Sequence, residues 1–437
     1  MDFFRAIDTD LVLRSSAQVS RITTADIAAR AMNTIDIPES FIGVVTGLAG
    51  CVDTPKRRHW VSVSRSLIRS KHKVLDPEPR FVAHFFVDAL KPTRIGEIHA
   101  FAALEIMLEH HLANGAELNW EDPAIEAPPR FNVWNVGTIR VRQPCRGACV
   151  TVSGHELVIQ FGEGEFRYER STGGIHLHGC IQFDPSFKIE TSAGTVQLPH
   201  DVPGLADCFH SHAPVVRSIY ANQEWAPVFQ TAADILHRQD AAMAQECLQL
   251  TPAVLALHSG GTSYGSSSPP EVLGLVFLPG VLDPTDVAEC LLHEALHQKL
   301  FRAEEGAPLF EAELGDEEIY YSPWRSDPRP LRMLVHGAYV FTGVSHYWRT
   351  IQQSERDDKD GRENAGFHSY YRARQAQAAM HIVDKYCGRT ALGRKVSDII
   401  NQGIEQVLAA PDISVSTIEE ANRRLSEHRV SHAGFLD

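Results

Sequence analysis

Apolar residues recur at three- and four-residue spacing from Thr23 to Met32 and again from Ile98 to Leu112, the period of a helix with one buried face. Residues 1–118 are therefore expected to be mostly helical. At Asn119 the pattern changes. Pro123, Pro128 and Pro129 are followed by alternating runs, Thr138 to Val141, Leu157 to Phe161 and Thr195 to Leu198, separated by Gly-containing turns. This predicts a strand-rich section over 119–205. The helical period returns after His212, through Ile219 to Leu250, and again from Tyr370 to Arg429, so 206–437 is expected to be a helical region that carries the chemistry. A Ser/Gly-rich loop from Ser259 to Ser268 is expected to act as a flap. There is no internal repeat.

The most informative stretch begins at Val272. Residues Val272 to Leu278 are apolar apart from Gly274 and end at Pro279-Gly280, which predicts a buried strand followed by a turn. A helix is expected at once, because Asp283 can cap it, Pro284 suits its first position and Asp286 lies in its first turn. Val287, Leu291, Leu292, Ala295 and Leu296 then give it a wide apolar stripe.

That helix carries His293-Glu294-Ala295-Leu296-His297. Residues four apart stand one above the other on a helix, so His293 and His297 can present imidazole nitrogens to one ion. In a chain with 22 His this HExxH pattern arises by chance about once in ten to twenty such sequences. The capped apolar helix raises its weight, since unbound histidines and a glutamate are costly there. The expected fold class is α+β, a zincin-like core with a helix-borne HExxH, helical flanks and a strand-rich middle.

Two ligands from one helix leave a mononuclear site incomplete. The nearby acids are Glu304, Glu305, Glu311 and Glu313; the last two fall in Leu309 to Leu314, which reads as a hairpin with Glu317 to Tyr321 across Gly315-Asp316, its carboxylates on a solvated face. Leu331 to Phe341 is apolar nearly all round, a buried helix, with His336 in its middle. His336 is the expected third ligand and His346 the alternative. Arg329 precedes Pro330 and so stands where the His336 helix begins. Its guanidinium can reach back to a carboxylate whose other end is on the metal. Arg325 is the second candidate, and a surface ion pair the plain reading of both.

Composition narrows the partners. The chain has 437 residues, 43% hydrophobic and 22% charged, with a formal charge of −14, which disfavours nucleic acid and anionic lipid as partners. Eight scattered cysteines lack the pattern of a secreted disulfide scaffold, so a reducing cytoplasm is expected. The first residues carry Asp8 and Asp10 without a basic run, and the longest uncharged apolar stretch, Phe41 to Val52, is too short to span a bilayer.

The stretch from about 250 to 350 resembles a known family. His293 to His297 with its apolar lead-in, Tyr320-Tyr321-Ser322-Pro323-Trp324-Arg325, Arg329-Pro330 and Val335-His336-Gly337-Ala338-Tyr339-Val340-Phe341 look like the HExxH-containing peptide-modification proteins. The resemblance implies an iron(II)- and 2-oxoglutarate-dependent oxygenase that hydroxylates a side-chain β-carbon of a ribosomally made precursor peptide. The strand Val272 to Leu278 is expected to offer such a peptide an edge.

Two other readings stand beside it. A zinc peptidase would use Glu294 as general base toward metal-bound water, although no Glu follows His297 in a helical context as in common peptidases. A non-catalytic, metal-stabilised binding protein would keep the ligands and tolerate loss of Glu294. Weaker constellations are His176, His178 and Cys180 on one strand face, repeated as Cys208, His210 and His212, which suit a soft metal but are explained more simply by strand alternation. Cys145 and Cys149 lack a partner pair. Gly261-Thr262-Ser263-Tyr264-Gly265 matches a nucleophile elbow in letters only, since it precedes a strand.

Overall fold

The computed structural model describes residues 3–64, 95–198, 222–257 and 266–432, apart from short breaks at 35–36, 52, 54–56, 59, 62–63, 129, 134–135, 155, 186, 271–272, 281–282, 312–318, 355–358 and 411. The architecture is α+β, with helical flanks around a strand-rich middle. Its apolar residues form two cores.

One core lies under the strands. Helices α1 (Thr9–Thr34), α2 (Ile42–Gly47) and α3 (Ile95–Asn114) precede strands β1 (Leu118–Glu126), β2 (Arg130–Val133), β3 (Gly137–Val141), β4 (Arg146–Ser153), β5 (Glu156–Phe161), β6 (Gly164–Glu169), β7 (Gly174–His178) and β8 (Ile181–Pro185). These make an antiparallel sheet in the order β1-β4-β5-β6-β7 and a second in the order β2-β3-β8. The period of two is plain in β5, where Leu157, Ile159 and Phe161 are buried and pack with Phe101, Phe131 and Phe166. Helix α1 spans both cores, with Ile27 and Ala28 in this one and Val12 in the other.

The second core holds the HExxH helix. A hairpin of β9 (Phe187–Thr191) and β10 (Gly194–Leu198) leads to helices α4 (Asn222–Gln239) and α5 (Ala241–Leu250), then to β11 (Ala253–Leu257) and β12 (Leu275–Pro279). The sheet order is β12-β11-β10-β9, with β10, β11 and β12 parallel. The last two strands of the strand-rich section thus belong to the sheet that leads into the HExxH helix.

Strand β12 is buried throughout, as its unbroken apolar run predicts. Val272 lies outside the described residues, and the strand begins at Leu275. Helix α6 (Pro284–Gly306) starts as expected: the Asp283 carboxylate accepts from the Thr285 amide at 2.7 Å, with Pro284 in the first turn. Gln298 ties this helix to the sheet, accepting from the Gly274 amide at 2.7 Å and donating to the Leu275 carbonyl at 3.3 Å.

After α6 the chain forms a short antiparallel ladder of β13 (Ile319–Tyr320) and β14 (Arg329–Pro330). Tyr320 therefore pairs with Arg329. The expected hairpin between 309–314 and 317–321 falls largely on 312–318, outside the described residues, and the ladder seen for Tyr320 is a different one. Helices α7 (Leu331–Ser354), α8 (Lys359–Cys387), α9 (Ala391–Leu408) and α10 (Val415–Ser431) complete the region. Helix α7 is buried on nearly all sides, as its sequence requires. It packs antiparallel to α6, since Leu296 meets Gly343 while Glu304 meets Arg332 and His336. A Cβ at Gly343 would stand 2.4 Å from a Leu296 methyl, so glycine permits this approach. Among the described residues no helix is long and apolar enough to cross a membrane.

Candidate metal centre

His293 and His297 occupy successive turns of α6, their ring centroids 5.0 Å apart. Both are half-buried, whereas Glu294 between them is buried. Burial, with the Arg372 charge adding to it, pushes the His293 pKa down to about 3. Burial, then His293 and His336, pushes His297 down as well. Both rings are therefore neutral near pH 7 and offer a lone pair, the form in which imidazole binds a metal.

His336 comes to them from α7. Seven residues, two helical turns, separate it from Gly343, so the close contact at Leu296 aims the same α7 face at the histidine turn of α6. The His336 Nδ1 lies 3.2 Å from the His297 Nδ1, with the rings stacked 5.5 Å apart at 16°. Its Nε2 hydrogen-bonds Glu304, whose carboxylate also accepts from Arg332 Nε at 2.9 Å. Burial raises the Glu304 carboxyl, but the His336 bond and the Arg332 charge outweigh it and hold Glu304 below the usual range.

An ionised carboxylate only accepts, so the proton of that bond sits on His336 Nε2 and Nδ1 is left as an acceptor facing His297. Two imidazole lone pairs at this separation repel unless a proton or a cation lies between them. An ion bonded to each nitrogen at ~2.0–2.1 Å would set two neighbouring donors about 2.8–3.4 Å apart, and the observed gap falls inside that range. A carboxylate behind a ligating histidine is the usual way to orient such a ring. His297 and His336 thus face each other as two donors to one ion would, with Glu304 orienting the second. His293 stands a turn away, its Nε2 4.0 Å from the Glu294 carboxylate. Among the described residues no group of three or more His, Cys, Asp or Glu side chains gathers closely enough to hold an ion.

Glu294 is occupied differently from a residue waiting for water. One carboxylate oxygen accepts from the Ser266 hydroxyl at 2.6 Å and the other from Ser268. Burial raises its pKa to about 7, against the pull of these two hydrogen bonds. The serines are themselves held to the sheet, because Ser267 forms an antiparallel bridge to Phe277 of β12, with bonds of 3.0 and 2.8 Å. The edge of β12 expected to receive a peptide is thus already engaged at Phe277. The rest of the serine-rich flap, 259–265, lies outside the described residues, as does the Gly261–Gly265 match.

Arg325 and Arg329 both bind Asp327, at 2.8 and 3.2 Å. Arg325 is exposed, while Arg329 is half-buried and its Nε makes no hydrogen bond. The arginines against the histidines are two others. Arg332 pairs with Glu304 and lies over the Phe301 ring at 5.1 Å. Arg372, on α8, lies 4.9 Å over Phe341, whose ring is 5.5 Å from that of His293; it meets Glu289 at 3.4 Å, and its Nε is buried without a hydrogen-bond partner.

His346 is turned elsewhere, with Nε2 3.1 Å from the Gly403 carbonyl and its ring stacked on Phe3 at 5.4 Å. Glu305 binds Arg58 at 2.7 Å, and Glu311 binds Arg389 at 3.0 Å on the surface; Glu313 lies outside the described residues. His176 and His178 sit on the exposed strand β7, paired across it with Arg167 and Glu165. Burial, and then the neighbouring Cys180 thiol, raises the Cys145 thiol, so Cys145 has a neighbour that its sequence spacing does not reveal. Cys208, His210 and His212 lie outside the described residues.

Four participants were given no role from sequence, although Glu304 was counted among the nearby acids. Glu304 lies eleven residues from His293 and seven from His297 on one stripe of α6, so a Glu does follow His297 in a helical context, contrary to expectation, because the helix runs on to Gly306. Ser266 and Ser268 carried no signal beyond their loop composition. Arg372 lies in a helix whose charges read as an outer face. No family model matches the chain, and no curated protein matches it.

Proposed function

We propose that the chain is an iron(II)- and 2-oxoglutarate-dependent oxygenase that hydroxylates a side-chain β-carbon of a ribosomally made precursor peptide in the cytoplasm. The observation that carries the metal part is the facing pair His297 and His336 with Glu304 behind His336. The oxygenase part rests on the resemblance of 250–350.

Within this reading His293, His297 and His336 would hold the iron, with Glu304 keeping the His336 proton on Nε2. Iron(II) with 2-oxoglutarate and O2 supplies the oxidising power, one oxygen atom entering the peptide and the other the succinate formed with CO2. The chain must hold the distal carboxylate of the oxoacid. Arg329 and Arg325 are the arginines expected from sequence, and Arg372 joins them because its Nε is buried, unpartnered and beside His293's neighbour Phe341. Apolar surface from Phe341 and Phe301 beside the histidines keeps the site poor in water.

The second reading, a zinc peptidase, needs Glu294 free to take a proton from water. The two serine hydroxyls on its carboxylate argue against that role and favour one in which Glu294 holds the 266–268 segment against the metal helix. The test incubates protein with iron(II), 2-oxoglutarate, air and a precursor peptide encoded beside its gene, read by mass spectrometry. Gain of one oxygen per peptide with matching succinate supports the proposal. Peptide cleavage under zinc without oxygen overturns it.

A further inference from the structure

A second site lies across α8 from the metal centre. Arg372 faces the histidines, and Arg374, two residues and about 200° further round the helix, faces away into a groove between α8, α10 and the Tyr320–Tyr321 segment. The groove encloses about 690 Å³, a size suited to a ligand much larger than an inorganic ion. Three cations line it, Arg374, Lys385 and Arg429, with His381 beside them and, among the described residues, no Asp or Glu in its lining. In a chain of charge −14 this is a segregated positive surface. Half-buried Ile382 and Leu425 give it apolar walls.

Two polar atoms in the lining are buried without a partner, Arg374 Nε and Asn422 Oδ1. One donates and the other accepts, the pair that a peptide group or a carboxylate beside an amide would satisfy. The spacing of the cations says more. Eleven residues at ~1.5 Å each put Arg374 and Lys385 about 16 Å apart along α8, too far to converge on one small anion. At ~3.3 Å per residue that span equals about five residues of extended chain.

We propose that this groove docks an extended acidic segment of the peptide substrate, away from the residue that is modified. The assignment rests on the peptide reading of the substrate. It also ties docking to the metal side, because Tyr320 in the groove wall pairs with Arg329 in the two-strand ladder. Docking at a remote segment raises the local concentration of the reacting segment without new contacts at the metal, so its loss shows in KM and not in kcat.

The experiment measures fluorescence anisotropy of a fluorescein-labelled (Glu-Ser)5 peptide on the full chain, with (Gln-Ser)5, inorganic phosphate and phosphatidylserine vesicles as the other arms. Expected results are saturable binding of (Glu-Ser)5 that weakens with salt, little binding of (Gln-Ser)5, and no displacement by phosphate at equal charge. The triple variant Arg374→Glu, Lys385→Glu, Arg429→Glu should lose about tenfold or more in affinity. The exposed single variant Arg429→Glu should lose part of it, which keeps the test valid if the triple variant does not fold. Equal binding by wild type and Arg429→Glu, full displacement by phosphate, or binding to vesicles alone overturns the proposal. Binding that stands while no peptide is ever oxidised leaves the groove and removes the oxygenase. Turnover with KM unchanged in the charge variants does the reverse.

Discussion

The Nδ1 atoms of His297 and His336 face each other across 3.2 Å, although 39 positions separate the residues. Glu304 holds the far nitrogen of His336, so the His336 Nδ1 is an acceptor toward His297, satisfied by a proton on His297 Nδ1 in the metal-free protein and by a shared ion when metal binds. His336→Ala and His297→Ala should each abolish stoichiometric metal binding, and His346→Ala, with its ring on Gly403 and Phe3, should leave it intact. Glu304→Gln should weaken metal affinity by about 10–100-fold, the usual cost of losing a carboxylate behind a ligating histidine. Metal analysis and calorimetric titration read these outcomes, and full metal content in His336→Ala would sink this ligand assignment.

If 2-oxoglutarate binds as proposed, its distal carboxylate needs a cation. Removing the right arginine should cost ~2–5 kcal/mol of oxoacid binding while the metal stays bound. Arg372→Ala and Arg329→Ala separate the candidates in a titration of 2-oxoglutarate against succinate release. A raised requirement in Arg372→Ala alone assigns the anchor to α8; a raised requirement in Arg329→Ala alone assigns it to the β14 ladder. Unchanged requirements in both variants would remove both.

Glu294 should make the metal-free protein sensitive to pH. Its folded pKa, about 7, lies above the ordinary value of 4.5 because of burial. A raised folded pKa means that its contribution is complete below pH 4.5 and is lost as pH climbs through 7. Glu294→Gln removes the buried charge and keeps a hydrogen-bonding side chain for Ser266 and Ser268. The stability of Glu294→Gln relative to wild type should therefore rise from pH 5 to pH 8, by up to ~3 kcal/mol at ~1.4 kcal/mol per pKa unit. Thermal melts at the two pH values check it, and a difference that does not change with pH would show that the carboxylate is not charged at a cost.

Gly337 should tolerate no side chain. A Cβ there would stand 2.0 Å from Trp324 Cζ2, and the Trp324 ring also stacks on Phe341 at 5.1 Å. Gly337→Ala must displace the indole, an overpacking that costs typically ~1–3 kcal/mol. The melting temperature should fall. Pairing the change with Trp324→Ala should recover part of the fall, and no recovery would place the strain elsewhere.

How much of this was legible beforehand follows from the range of the interactions. The start of α6 was readable because Asp283, Pro284 and Asp286 act on their own first turn, and the His293 and His297 pair because four residues make nearly one turn. The burial of α7 was readable from its apolar composition, which placed His336 in a buried helix. Helical flanks and a strand-rich middle followed from the two periodicities, 3.6 and 2.

The tertiary structure decided what those elements do to one another. That α6 and α7 cross where Gly343 receives Leu296, which brings Glu304 behind His336, is a matter of packing between segments more than thirty residues apart. Ser266 and Ser268 reach Glu294 only because Ser267 is pinned to Phe277 of β12, and Arg372 reaches the site from α8, 79 positions beyond His293. β9 and β10 join the sheet that leads into the HExxH helix because β10 pairs with β11 across the 199–252 stretch. Hydrophobic period and capping are properties of a few neighbouring residues, so the chain states them openly. A crossing point, a register and a charge partner depend on the shapes of two surfaces at once, and these exist only when the core has closed.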